Sequence, residues 1–204
     1  MARLEPQSMS AAGVRLEPLH EDNREGLRAA AAEDRDIWDI YTNSLLGDGF
    51  DRWWDERSRP GSDWRMFTVH AQAAGDQVVG MTGYALDSRH PGVVEVGSTY
   101  YVPRMRGSGL NRVVKWLMLS FLFGHGLHRV EFRVDARNLR SRAAVRKLGA
   151  VEEGVLRHHK VTHTGFIRDT HVYGLTDAEW AGIEPGLRPA VLSPAAPAGG
   201  GSSS

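Results

Sequence analysis

The spacing of apolar residues divides the chain into seven predicted strands and several helices. The seven stretches with strand character are Val14–Leu19, Trp64–Ala71, Val78–Leu86, Val93–Val102, Arg129–Asp135, Val151–Val161 and Ile167–Leu175. In Arg129–Asp135 charged and apolar residues alternate, which is the period of a half-buried strand. The turn residues Gly75-Asp76 and His90-Pro91-Gly92 separate the second, third and fourth stretches and predict an antiparallel meander.

Helical periodicity is clearest after the fourth strand, where Leu110 to Leu122 places apolar residues at i, i+3, i+4 and i+7. Further helices are predicted at Asp22–Glu33, in two pieces over Ile37–Arg57, at Asn138–Lys147, and from Thr176, where Glu179 completes a capping box. The order β-α-α-β-β-β-α-β-α-β-β predicts an α/β (α+β) fold. We expect a mixed, mostly antiparallel central sheet of about seven strands, flanked by helices on both faces.

The two ends of the chain differ from the middle in composition. Residues 1–12 are expected to be flexible, and residues 184–204 are rich in proline, alanine, glycine and serine. Such a tail cannot bury enough apolar area to offset its ordering entropy, so we expect it to be disordered. The ordered domain is predicted to span residues 13–183.

Composition narrows the classes of function. The 25 lysines and arginines equal the 25 aspartates and glutamates, so no net charge favours nucleic acid. The chain has no cysteine, which excludes disulfides, thiolate metal sites and cysteine nucleophiles. No signal peptide or membrane span is predicted, and we expect a cytoplasmic protein without membrane or nucleic-acid partners. Adjacent His158 and His159 would point to opposite faces of a strand, so no metal site is predicted. A nucleic-acid binder using the basic helix Arg137–Lys147 is the alternative, and salt-dependent DNA binding would support it.

The segment Arg104-Met105-Arg106-Gly107-Ser108-Gly109 joins a predicted strand to the long helix. A helix N-terminus presents backbone N–H groups to an anion, and Gly107 and Gly109 allow positive φ and close approach to phosphate. Arg104 and Arg106 add positive charge. A tight turn whose glycines serve packing alone is the alternative. The spacing differs from both G-x-x-x-x-G-K-[ST] and G-x-G-x-x-G, which argues against a nucleoside triphosphate or dinucleotide site.

Arg104-x-x-Gly107-x-Gly109 resembles the acyl-CoA pyrophosphate motif [QR]-x-x-G-x-[GA] of the GCN5-related N-acetyltransferase (GNAT) superfamily. Further segments are similar to its ribosomal-protein-alanine-acetyltransferase-like branch (RimJ/RimL-type), and the similarity runs from about Val93 to Trp180. These segments are Leu110-Asn111 with Lys115, Asp135–Asn138, Ser141–Ala144, Lys147–Ala150, Glu153–Arg157, Arg168-Asp169 and Glu179-Trp180.

The resemblance implies acetyl-CoA as co-substrate, with its pantetheine arm in a slot between the splayed strands Val93–Val102 and Arg129–Asp135. Asn138 is expected to hydrogen-bond the pantetheine or thioester while also capping a helix, and Ser141 to protonate the departing thiolate. A surface serine is the alternative for Ser141. The residues expected to bind the cofactor are Tyr100, Tyr101, Val102, Arg104, Met105, Arg106, Gly107, Ser108, Gly109, Leu110, Asn111, Asn138 and Ser141.

Acetyl transfer requires a neutral amine, so a base must accept the proton of the ammonium group. Glu95 is predicted to be this base or to orient the substrate, because members of this branch often carry an acidic residue here. An ion pair with Arg133 or Arg129 is the alternative. Arg168 is expected to contact the acceptor, and an Arg168–Asp169 ion pair that braces the hairpin is its alternative.

The predicted function is direct transfer of acetyl from acetyl-CoA to a primary amine in a ternary complex, since no cysteine is available for an acyl-enzyme. The acceptor is a small-molecule amine, an amino acid or a protein N-terminus. A catalytically inactive acyl-CoA-binding regulatory module is the alternative, and a homodimer is left open. One or two aromatic residues of the first half are expected to wall the acceptor site, and the others to pack in the core. These residues are Trp38, Tyr41, Trp53, Trp54 and Trp64.

Overall fold

The computed structural model describes residues 4–189, which form one eight-stranded sheet with helices on both faces. The strands are β1 (Met9–Ala11), β2 (Val14–Pro18), β3 (Trp64–Ala71), β4 (Gln77–Leu86), β5 (Val93–Tyr101), β6 (Arg129–Asp135), β7 (Val151–Val161) and β8 (Ile167–Thr176). The α-helices are α1 (Arg24–Ala32), α2 (Asp48–Ser58), α3 (Leu110–Gly124), α4 (Leu139–Leu148) and α5 (Asp177–Leu187). This architecture confirms the predicted fold class, with one strand more than expected.

The sheet order is β1-β2-β3-β4-β5-β6-β8-β7. All neighbours are antiparallel except β5 and β6, which are parallel and are connected through α3. The strands β3, β4 and β5 form the predicted meander. A parallel pair needs a long crossover connection, and the periodic helix α3 supplies it.

The parallel pair separates partway along its length. Its register is Val93 with Arg129, Val94 with Val130, and Glu95 with Glu131, and no further pairing joins the two strands in residues 4–189. Both strands nevertheless continue, β5 to Tyr101 and β6 to Asp135. The sheet therefore opens into a cleft whose edges are backbone.

The core fills the space between the sheet and the helices with large side chains. Trp38, Tyr84, Tyr100 and Tyr173 are fully buried. Each such side chain contributes about 2 kcal/mol or more of hydrophobic free energy. The polar atoms are also satisfied, since the Trp38 indole donates to the Ala31 carbonyl at 3.0 Å. The opened sheet is thus held by packing on both faces.

Residues 9–11, which the sequence analysis placed in the N-terminal segment expected to be flexible, form strand β1. Strand β1 pairs with β2 through a tight turn in which Ala12 and Gly13 both have positive φ, 47° and 72°. Such turns match the twist of a hairpin, but alanine is rarely found in them, so the sequence did not signal this one. Further upstream, the Tyr84 hydroxyl donates to the Leu4 carbonyl at 3.0 Å.

The last helix extends three residues past residue 184, where the tail was predicted to start. Helix α5 begins with the predicted Thr176–Glu179 capping box and continues to Leu187. Its last turn is held by α3, because the Trp116 indole donates to Glu184 at 2.7 Å and Arg112 donates to backbone carbonyls of the turn. Residues 190–204 lie outside the described residues. No helix among residues 4–189 is long and apolar enough to cross a membrane.

Candidate active site

A cleft of about 400 Å³ occupies the opening between β5 and β6. Along β5 it extends from Glu95 to Tyr101. The six steps between these seven residues correspond to about 20 Å of extended strand. The end at Glu95, here called the near end, is walled by residues of the first half of the chain. The opposite end, here called the far end, reaches the turn before α3. The predicted site residues that line it are Glu95, Tyr100, Tyr101, Arg106, Gly107, Asn111, Asn138, Ser141 and Arg168.

The far end carries the predicted phosphate-binding turn. Gly107 and Gly109 have φ of 79° and 87°, so both use the conformation that glycine alone adopts without strain. A Cβ at either glycine would meet no atom within 4 Å, which leaves open space over the N-terminus of α3. That geometry suits the approach of a phosphate group to the backbone N–H groups of the first helical turn.

The two arginines of the turn differ in position. The Arg106 side chain lines the cleft and donates through Nε to the Tyr101 carbonyl at 3.0 Å. Arg104 lies outside the lining, where it pairs with Glu33. The other predicted cofactor contacts outside the lining are Val102, Met105, Ser108, Gly109 and Leu110. Val102 and Leu110 are buried in the core, so their side chains serve packing.

Asn138 and Ser141 lie on the β6 side of the cleft. Asn138 caps α4, because its Oδ1 accepts a hydrogen bond from the Ser141 N–H at 3.0 Å. Its side-chain amide donors and the Ser141 hydroxyl have no hydrogen-bond partner within residues 4–189. The predicted capping role is therefore confirmed, and the amide donors remain available to a bound molecule.

A β-bulge on β5 shapes the middle of the cleft. The register with β4 shifts between Gly83–Gly97 and Met81–Tyr100, and Ser98 has a positive φ of 48°. The strained residue redirects the chain so that Thr99 turns inward, where its Oγ1 lies 2.8 Å from Thr82 Oγ1. Bulges commonly re-aim groups beside functional sites, as this one does.

Lys115 and Tyr41 also line the cleft. The sequence analysis assigned no site role to Lys115 and named Tyr41 only among the aromatic residues of which one or two would wall the acceptor site. The buried Lys115 amine donates to Thr99 Oγ1 at 2.8 Å, and burial without a counter-ion lowers its pKa to about 7. The Tyr41 hydroxyl donates to the Thr99 carbonyl at 2.7 Å, and burial raises its pKa to about 12. Lys115 shares a helix face with Asn111 and Met118. A lysine on a helix face that packs inward is the sequence feature that could have identified it as a candidate site residue.

Glu95 lies at the near end, where β5 and β6 part. Its side chain is mostly buried, and burial raises the pKa of its carboxyl, while Lys160 and Arg133 act in the opposite direction. Its nearest cation is Arg133, whose Nε is 3.7 Å from Oε2, which is longer than a hydrogen bond. Arg133 instead hydrogen-bonds Glu131 at 3.0 Å.

The alternative ion pairs predicted for Glu95 and Arg168 are therefore weak or absent. Arg129 pairs with Glu131 and Glu153, not with Glu95. Asp169 accepts a hydrogen bond from the His158 N–H, whereas Arg168 donates to Thr170 Oγ1 at 3.1 Å. Neighbouring residues of a strand point to opposite faces, so Arg168 and Asp169 do not pair.

The five aromatic residues of the first half divide between core and cleft, and three of them, not one or two, line the cleft. Trp38 and Trp54 are buried without lining the cleft, while Tyr41, Trp53 and Trp64 line it. The part of the chain that the structure describes contains no group of three or more histidine, aspartate or glutamate side chains placed to hold a metal ion.

Comparison with known proteins agrees with this geometry. The family described as Acetyltransferase (GNAT) domain matches residues 14–151, more than half of the 204-residue chain. No protein with a curated description matches. Among solved structures, a GCN5-related N-acetyltransferase from Brucella melitensis is 26% identical, with a TM-score of 0.81 over 90% of this chain and 84% of that chain.

Two further structures share the fold. A probable acetyltransferase of the GNAT family from Chromobacterium violaceum is 30% identical, with a TM-score of 0.77 over 87% of this chain and 90% of that one. RimJ of Mycobacterium smegmatis, solved in complex with CoA-disulfide, is 17% identical, with a TM-score of 0.72 over 85% and 87% of the two chains. The chain therefore belongs to the GNAT family of acetyltransferases and is an acetyl-CoA-dependent acyltransferase.

Proposed function

We propose that the protein transfers the acetyl group of acetyl-CoA directly to a primary amine while both substrates are bound. The observation that carries this proposal is the continuity of the cleft, which joins the Gly107 turn to Glu95 along the separated edges of β5 and β6. An extended pantetheine arm fits such an edge as an added strand would. The phosphates then lie at Gly107 and Arg106, and the thioester lies toward the bulge and Glu95.

Glu95 accepts the proton of the amine, directly or through water. An alkylammonium is almost fully protonated near neutral pH, and a base whose pKa is raised toward neutrality accepts its proton more readily. Burial raises the pKa of Glu95 in this direction. The amine nitrogen then forms a bond to the acetyl carbon, and the carbon–sulfur bond breaks.

Hydrogen-bond donors along the cleft stabilise the negative charge that develops on the thioester oxygen and on the departing sulfur. A backbone N–H of the bulged segment, between Thr99 and Tyr101, is placed to polarise the thioester carbonyl. On the opposite wall of the cleft, the Asn138 side-chain amide donates a hydrogen bond to the pantetheine arm. The Ser141 hydroxyl donates its proton to the departing thiolate and takes up the second proton that the nitrogen loses as the amide forms. Near neutral pH this help is modest, because a thiol has a pKa of about 8.5.

A thiol-release assay with a panel of amino acids, polyamines, aminoglycosides and N-terminal peptides tests the activity. We expect Glu95→Gln to lower turnover strongly and to leave the affinity for acetyl-CoA, measured by calorimetry, nearly unchanged. In the wild type kcat/KM falls as the pH drops below the raised pKa of Glu95, because a protonated carboxyl cannot accept the proton. The Gln variant should lose this dependence.

Glu153→Gln is the matched control, since Glu153 lies on β7 outside the cleft and pairs with Arg129. It should retain the wild-type pH profile. If Glu95→Gln keeps full turnover and the same acid limb, Glu95 is not the base. Binding of acetyl-CoA without thiol release for any amine would instead support the inactive regulatory module.

A further inference from the structure

The strand register places several charged side chains on one face of the sheet, at the acceptor end of the cleft. Glu95 is opposite Glu131, and Arg133 is two residues further along the same face of β6. Arg133 is opposite Val172 on β8, and Arg168 lies four residues before Val172, again on this face. Lys160 of β7 is opposite Arg168. Glu95, Arg133, Arg168 and Lys160 all line the cleft.

Two of these cations, Arg168 and Lys160, form neither an ion pair nor a hydrogen bond with a carboxylate of residues 4–189. Arg168 is 7% exposed, and its only side-chain hydrogen bond is from Nε to Thr170, so its two terminal nitrogens have none. Lys160 makes no ion pair and is accessible from the cleft. A buried guanidinium is costly unless an anion accepts its hydrogen bonds. Asp135 and Glu95 act on Arg168 electrostatically, and Glu95 acts on Lys160, but neither carboxylate accepts a hydrogen bond from these two side chains.

The wall facing this charged group is apolar and aromatic. It is built from α2, the start of β3 and the segment before α2, and its side chains are Ile37, Ile40, Tyr41, Leu45, Trp53 and Trp64. The Arg57 guanidinium covers the Trp64 ring at 5.5 Å and pairs with Glu56, so its charge is already compensated. An acceptor at this end would contact apolar surface on one side and, on the other, the two cations that form no ion pair.

We propose that the acceptor is an amine with an apolar body and a carboxylate, and that Arg168 and Lys160 bind the carboxylate. This inference rests on the proposed acetyl transfer. In this arrangement the amine lies beside Glu95 and the apolar body lies against Trp53 and Trp64. The carboxylate accepts two hydrogen bonds from the Arg168 guanidinium. Hydrophobic amino acids have this chemistry, whereas polyamines would add positive charge where positive charge is already in excess.

Three ligands that differ in one group each test the proposal: phenylalanine, phenethylamine, which lacks the carboxylate, and phenylpropionate, which lacks the amine. Their affinities are measured by calorimetry on the full chain in the presence of CoA. In the wild type we expect both carboxylates to bind more tightly than phenethylamine by on the order of tenfold or more. Arg168→Met should remove most of this preference, and Lys160→Met should reduce it.

Arg157→Met is the control, because Arg157 is an exposed arginine of β7 outside the cleft, and it should keep the preference. The proposal is overturned if phenethylamine binds as tightly as the carboxylates, if none of the three binds, or if Arg168→Met keeps the preference. Thiol release is measured in parallel. Carboxylate-dependent binding without thiol release would refute acetyl transfer to these acceptors and still support the carboxylate site.

Discussion

Replacing Lys115 by methionine removes a buried amine and leaves an unbranched apolar side chain of similar length in its place. Lys115 is 6% exposed, and its only hydrogen-bond acceptor within residues 4–189 is Thr99 Oγ1, at 2.8 Å. The amine also lies over the Phe132 ring, whose centroid is 5.9 Å from Nζ. Burial without a carboxylate lowers the pKa of Lys115 from 10.5 to about 7.

This shift makes stability depend on pH in a defined direction. Between about pH 7 and pH 10.5 the unfolded chain holds the Lys115 proton and the folded chain does not, so the free energy of unfolding rises with pH. Below about pH 7 both states hold the proton, and the folded state carries the full cost of the buried charge. A shift of this size corresponds to about 4–5 kcal/mol, at about 1.4 kcal/mol per pKa unit.

Methionine avoids this cost but gives up one hydrogen bond, which is worth about 1 kcal/mol. We therefore expect Lys115→Met to be more stable than the wild type by about 3 kcal/mol near pH 6, and the difference to vanish toward about pH 10. Urea unfolding followed by tryptophan fluorescence at several pH values measures both free energies. Lys147→Met, which removes an exposed lysine of α4, is the control. A difference in the free energy of unfolding that stays constant across this pH range would refute the reasoning.

Two other substitutions test separate parts of the structure. Gly107→Val should reduce acetyl-CoA affinity in calorimetry by at least about tenfold, because a branched side chain enters the open space over α3 and opposes the positive φ. Gly165→Val introduces the same strain at a φ of 84° in the β7–β8 turn, so equal losses of affinity would contradict a local role for Gly107. Thr176→Ala should lower the free energy of unfolding by about 1 kcal/mol, since it removes the capping box of α5. An unchanged urea midpoint would show that the cap is dispensable.

Local patterns were sufficient for the elements that carry most of the fold. The alternation in Arg129–Asp135 and the periodicity from Leu110 predicted β6 and α3, because burial of one face repeats at the period of the backbone. Gly107 and Gly109 were also identified locally as positions of positive φ, because glycine adopts this conformation without steric cost. The capping residues Asn138 and Thr176 were likewise readable from their neighbours a turn away.

Contacts between distant parts of the chain were not readable in this way. The last turn of α5 is ordered by Trp116 and Arg112, which precede it by about seventy residues, so composition alone placed the tail too early. The bulge at Ser98 depends on a register shift against β4, and it sets the hydrogen bond between Thr99 and Lys115. No local pattern encodes a register shift between two strands.

The sequence by itself determined the class of fold, the glycine turn before α3 and the acidic residue at the end of the cleft where β5 and β6 part. The tertiary structure decided which arginines of the turn and the cleft form an ion pair with a carboxylate. Arg104 pairs with Glu33, and Arg133 pairs with Glu131, while the buried Arg168 forms no ion pair within residues 4–189. The energy of a charge depends on its burial and on partners brought close by folding, whereas helix and strand periods are properties of a few consecutive residues.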